Sequence, residues 1–377
     1  MSPRLRTGLA LAGSFALGGG LLYVALRGAD FAVVGAALRE AQWIWLAPLA
    51  AVSVLSVVAR AWRWAILIDT LPQADGAPQT SRTPLGVALA SVLIGYLVNL
   101  AVPRLGEVVR AGNVAARRPV GFAAVVGTVV AERILDLAVL VLAIGGVVLL
   151  LGDRLGALTA EAAQGFGRLV AGLPAAVDVA ILVGAVLLVG AAIALVARSR
   201  RARGDAPGRF AGLAAQFRDG ALTLVRTGRP LALVASTLGI WASYVVMSYL
   251  PLRMLGMTSL GLVDAFVLMT VGAVGMALPA PGGAGSYHYA TIQSLVLLFG
   301  VGVSPATSYA VLGHAAQLVF YAVAGVAALV WQGTGLKAAA AAAHEATDAP
   351  ARGEGSTGEG STGGSPPRRA AAQTAAP

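Results

Sequence analysis

The sequence predicts an all-α, polytopic membrane helix bundle, built as an inverted repeat with two re-entrant hairpins. Three observations carry this. Apolar residues make up 58% of the 377 and charged residues only 12%, with a mean hydropathy of +0.80, so there is too little polar surface to cover a water-soluble globule of this size. Several segments reach the roughly 20 apolar residues that a helix needs to cross the hydrocarbon core. Two other apolar runs are broken by Pro and Gly, and freed backbone groups are tolerated at membrane depth only where protein or a water-filled cavity satisfies them.

Taken in order, the first predicted span is 7–26, read as an uncleaved anchor: its apolar core is longer than a signal peptide's and no clear A-x-A site follows. A neutral loop, 27–40, leads to a second span at 43–68. The run 85–102 then meets Pro103-Arg104-Leu105-Gly106-Glu107, the first break. Spans follow at 134–151, 178–197 and 231–252. The run 262–278 meets Pro279-Ala280-Pro281-Gly282-Gly283-Ala284-Gly285, the second break, before a short apolar piece at 292–303 and a last span at 307–331.

Charge selects the orientation, because Arg and Lys stay on the cytoplasmic side. Arg4 and Arg6 put the N-terminus inside, and the loop 198–229 holds eight Arg against Asp205 and Asp219. Its part 208–226 is amphipathic and reads as an interfacial elbow between the halves. Arg104, Arg110, Arg117 and Arg118 against Glu107 also belong inside, so the run 85–102 must enter and return. With alternation, both termini are cytoplasmic and each hairpin dips in from its own side. Span, span, hairpin, span then occurs twice with reversed direction, and both breaks read P-x-x-G, Pro103 to Gly106 and Pro279 to Gly282, 176 residues apart. Such repeats place a transporter's substrate between the breaks near the midplane. The predicted division is a transmembrane domain, 1–335, with halves 1–175 and 176–335, and a disordered cytoplasmic tail, 336–377, marked by tandem Gly-Glu-Gly-Ser-Thr copies.

Ionisable residues inside apolar segments are expensive and face a cavity or a partner. Asn99, Arg104, Glu107 and Arg110 flank the first break; they read either as a phosphate grip or as a charge network stitching the hairpin to its neighbours. Glu132, Arg133 and Asp136 interrupt the run 122–151, with the two carboxylates one helical turn apart. Either a static network neutralises them or they serve proton coupling or a headgroup amine. Arg60 and Arg63, interleaved with Trp62 and Trp64, fit an interfacial belt or phosphate recognition. At the second break Gly282 and Gly283 form a candidate anion nest, followed by Ser286, Tyr287 and His288 as the helix restarts. His314, in the last span, reads as a buried hydrogen-bond partner. Arg104, Glu107, Arg110, Glu132, Arg133 and Asp136 are expected to form one polar cluster.

No Cys is present and His number three, so no disulfide framework or thiolate chemistry is possible and a dedicated metal site is not expected. Neither a cofactor motif nor a catalytic motif is found, and no nucleic-acid partner is implied. Oligomeric state is left open.

Arg60-x-x-Arg63-Trp64, Asn99-x-x-x-Pro103-Arg104-x-Gly106-Glu107-x-x-Arg110, Glu132-Arg133-x-x-Asp136 and Pro279-x-Pro281-Gly282-Gly283-x-Gly285, in this order, resemble the lysylphosphatidylglycerol synthase transmembrane, or flippase-like, family over about residues 5–335. The resemblance implies a multi-pass protein of the bacterial or archaeal inner membrane, related to the module that moves aminoacylated phosphatidylglycerol between leaflets. Its partner would be an anionic phospholipid or a polyprenyl-phosphate-linked lipid. The low-complexity segment after 335 takes the place of the synthases' soluble aminoacyl-transferring domain, so that enzymatic step is not carried over. A membrane-embedded lipid-phosphate transferase or hydrolase, and a non-transporting envelope scaffold, are the alternatives.

Overall fold

The computed structural model describes residues 16, 18–72, 82–102, 104–166, 209–277 and 283–333, with backbone alone at 153–166 and 209–214. The described elements are helical. Four of them, Trp43–Ile68, Phe122–Gly152, Pro230–Met254 and Val303–Trp331, are long and apolar enough to cross a membrane, and a bent pair near the N-terminus adds up to one more. Large apolar side chains such as Leu142, Leu149, Val323 and Val330 point outward, while many polar side chains are buried. That is the distribution expected where lipid is the solvent.

In chain order, α1 (Gly18–Leu26) meets α2 (Phe31–Arg39) at an 88° bend. Here the structure corrects the sequence reading of 27–40 as a loop: Asp30 caps α2, its carboxylate accepting from the Ala32 amide at 2.8 Å, so a short helix forms where charge summed to zero. The long α3 (Leu46–Ile68) follows a 3-10 turn at Trp43–Trp45. α4 (Leu85–Ala101) ends at Val102, whose extended backbone is what a residue before proline prefers. α5 (Leu105–Ala115) folds back beside α4.

α6 runs from Phe122 to Phe166. It begins a dozen residues earlier than the predicted 134–151 span, because no helix breaker separates 122–133 from the apolar run. Glu132, Arg133 and Asp136 therefore lie inside the spanning segment. The predicted elbow consists of α7 (Arg209–Ala221) and α8 (Thr223–Arg226), and α7 packs tightly along α6, with Gly220 against the Ala124 carbonyl and Gly127.

The later elements are α9 (Pro230–Met254), α10 (Leu262–Met276), α11 (Ser286–Phe299) and α12 (Val303–Trp331). Pro230 starts α9, where its missing N–H costs nothing. Gly300, at φ 65°, ends α11 in a left-handed cap. The predicted span at 178–197, the prolines 103, 279 and 281, Gly282 and the tail from 336 lie outside the described residues.

Helix pairings repeat between the two sets. α3 packs on α4, α4 on α5 and α5 on α6, and likewise α9 on α10, α10 on α11 and α11 on α12; α4 lies against α12, and α10 against α6. At the centre α3 and α9 pack antiparallel, Leu49 grouping with Leu250 and Leu67 with Leu233.

Candidate functional site

Two arginines one turn apart on α3 meet two carboxylates one turn apart on α6. Arg60 reaches Glu132 at 2.7 Å and Asp136 at 3.2 Å; Arg63 reaches the same pair at 2.9 and 2.8 Å. Arg110 on α5 takes the other Glu132 oxygen at 2.8 Å. Arg133 lies at 3.5 Å from Asp136 and 3.8 Å from Glu132, with 47% of its side chain exposed. Glu132 is fully buried and Arg63 equally so.

Further polar groups orient the arginines. Arg60 donates to the Tyr244 hydroxyl at 2.7 Å and Arg63 to the Thr237 hydroxyl at 3.1 Å, both on α9. The Arg110 guanidinium sits 4.6 Å from the Trp64 ring centre, and the Trp64 indole donates to Thr128. Beside Arg60, Tyr96 from α4 packs on Tyr321 from α12 with ring centres 4.4 Å apart, and Gln317 donates to the Tyr321 hydroxyl at 3.0 Å. The cluster thus joins both sets of helices.

Burying Arg60, Arg63 and Trp64 removes the interfacial-belt reading for those three; only Trp62 is exposed there. Three buried guanidiniums and the half-exposed one of Arg133 face two carboxylates, so positive charge exceeds negative by one in the buried part and by two in the whole cluster. Arg60 and Arg63 also keep buried Nε groups without a hydrogen-bond partner among the described residues. Chemically, the arrangement suits an anion, since charge-assisted hydrogen bonds from guanidinium forks match phosphate and carboxylate geometry.

The single six-residue cluster expected from sequence does not form as drawn. Arg110, Glu132, Arg133 and Asp136 come together, joined by Arg60 and Arg63, whereas Arg104 and Glu107 stand apart. The reason is the break: Arg104 adopts a left-handed conformation at the α5 N-cap, φ 66°, which takes it off the helical face of Arg110. Glu107 instead accepts from the Asn99 amide at 3.3 Å, and Asn99 also accepts from the Gly106 N–H at 2.7 Å, so Asn99, Gly106 and Glu107 clasp the two arms. Arg104 extends to within 3.5 Å of the Ala277 carbonyl at the end of α10. The two breaks are therefore neighbours.

At the second break, Gly283 and Gly285 have positive φ, and the space beside them is taken by Met276 and by the Gly18 carbonyl. Buried Ser286 donates to the Gly283 carbonyl. Tyr287 stacks on His314, and His288 lies edge-on to the same ring. Sequence reasoning missed Thr237 and Tyr244, although seven residues of separation on one apolar span is a same-face signal.

Compared with known proteins, residues 9–325 match the family model described as the lysylphosphatidylglycerol synthase TM region. No curated protein and no solved structure matches. A multi-pass helical body, the arginine–carboxylate cluster inside it and a family match over most of its length agree: the chain belongs to the lysylphosphatidylglycerol synthase transmembrane-region family, membrane proteins related to lipid modification or translocation.

Proposed function

We propose that this protein translocates an anionic lipid, its phosphate held by the arginine cluster while the acyl chains stay in the bilayer. One observation carries the reading: Arg60, Arg63 and Arg110, all buried, exceed Glu132 and Asp136 by one charge, and the half-exposed Arg133 adds a second at the edge of the cluster. A buried cationic excess is costly without an anion to offset it. Either a phospholipid or a polyprenyl-phosphate-linked lipid supplies that phosphate. In this reading Arg104 and Ser286, at the two adjoining breaks, lie along the lipid's path.

The architecture we infer is an inverted repeat with α4–α5 and α10–α11 as re-entrant hairpins. Its support is the matching set of helix pairings and the antiparallel contact of α3 with α9. The protein would lie in the bacterial inner membrane with both termini cytoplasmic.

Arg133 tests the reading, because its half-exposed side chain can be removed with little cost to the fold. In phosphatidylglycerol-containing proteoliposomes with a fluorescent phosphatidylglycerol, Arg133→Ala should slow leaflet exchange about tenfold, the loss expected for one charge-assisted hydrogen bond. A folded variant with an unchanged rate would overturn the proposal. So would mass-spectrometric detection of a chemically altered headgroup, which would place the protein among transferases.

A further inference from the structure

Away from the arginines, a second polar group lies buried between α11 and α12. His288 is 7% exposed and His314 3%. Their ring centres are 4.9 Å apart, and Tyr287 stacks on His314 at 5.1 Å. Nδ1 of His288 and both nitrogens of His314 are buried with no hydrogen-bond partner among the described residues, as is the hydroxyl of Thr307. Buried polar atoms in native proteins are paired as a rule, so a cluster of orphans that faces inward points to a guest.

The identity of the guest follows from the charges nearby. α10 brings Asp264, engaged in capping the Gly261 amide, and α9 brings Arg253, which donates to the Leu260 carbonyl. Tyr309, on α12 itself, donates to the Ser248 carbonyl of α9. From α3 the nearest cation, Arg60, is committed to Glu132 and Asp136, and from α2 Arg39 bonds within its own helix. Tyr96 from α4 stacks on Tyr321, and Tyr244 from α9 accepts from Arg60. A carboxylate-free pair of imidazoles is a weak metal site, but each ring can take up a proton once water reaches it.

We propose that His288 and His314 form a proton-binding site whose loading accompanies separation of α11 from α12, and so ties the movement of the second helix–break–helix unit to pH. In the packed arrangement a charge there has no counter-ion among the described residues, and His288 occupies the first turn of α11, where the helix dipole opposes a cation. Opening hydrates both rings and admits the proton. Communication with the arginines runs along one face of α12, where Thr307, His314, Gln317 and Tyr321 interrupt an apolar helix at spacings of seven, three and four, ending beside Arg60.

Two measurements on the full chain test this. Nitrogen-15 spectra of histidine-labelled protein in phosphatidylglycerol nanodiscs, recorded from about pH 4 to 8 with His344 as the third signal, should show His288 and His314 titrating as a coupled pair. In His314→Gln the remaining ring should titrate alone. The second arm rests on the translocation reading: exchange of fluorescent phosphatidylglycerol should vary several-fold over that pH range, and His288→Gln and His314→Gln should flatten the profile. Independent titration of the two rings, or an unaltered profile in the double variant, overturns the proposal. Coupled titration without any lipid exchange would sustain the proton site while removing the translocation reading.

Discussion

Arg104 is the one described non-glycine residue with positive φ, a conformation that costs an L-residue roughly 1–2 kcal/mol. Strain of this kind persists where a side chain is wanted at a fixed place. Arg104→Gly should relieve it and Arg104→Ala should not, while both delete the guanidinium; melting in detergent should then rank the Gly variant about 1 kcal/mol above the Ala variant. Equal melting would mean that the backbone relaxes without cost. Glu132 shows the limit of reading single residues. A carboxylate within an apolar run was visible as a candidate from the letters alone, but that three guanidiniums converge on it was not, because its partners on α3 lie 72 and 69 positions away. Periodicity reports which residues share a face of one helix and is silent about which helix lies opposite.

Between α4 and α5, and again between α10 and α11, a glycine in the first arm presses on the opening turn of the second. A Cβ on Gly95 would sit 2.9 Å from the Gly106 carbonyl oxygen, and one on Gly275 2.9 Å from that of Ser286. Both pairs are eleven residues apart, so the two units correspond at an offset of 180, four more than the offset of the shared P-x-x-G. The sequence comparison found the breaks but not their register, since Pro and Gly mark where a helix stops and packing decides which residues touch. Gly106→Ala would drive a Cβ into the Gly95 carbonyl and should cost about 1–3 kcal/mol, whereas Gly145→Ala, with nothing within 4 Å, should be neutral or slightly stabilising. Thermal unfolding of the two variants makes the comparison, and similar losses would mean that the arms are not held by close approach. α2 escaped detection for another reason: nine residues with one cap give too little periodic signal to separate a helix from a loop.

For the molecule as a whole, α3 and α9 are the axis on which the two sets of helices meet, and their antiparallel course is one the proposed inverted repeat requires. From the Arg-rich loop at 198–229 the expectation is that this side faces the cytoplasm. Because the chain has no Cys, single substitutions report sidedness directly. An impermeant maleimide applied to intact cells should label Gly28→Cys and spare Arg201→Cys until the membrane is opened; the reverse pattern would invert the topology.

The ion pair between Arg60 and Glu132 also has a history within each molecule. Seventy-two residues separate the two ends, and at ribosomal rates of roughly 5–20 residues per second the second is made about 4–14 s after the first. During that interval α3 carries two arginines, each costing about 2.5–3.5 kcal/mol at the centre of a lone membrane helix, without the two α6 carboxylates that meet them in the finished fold. The helix is therefore a poor candidate for immediate release into lipid. Glu132 and Asp136, made seconds later on α6, are the groups that offset this cost, so integration of α3 into lipid is expected to depend on a helix that follows it.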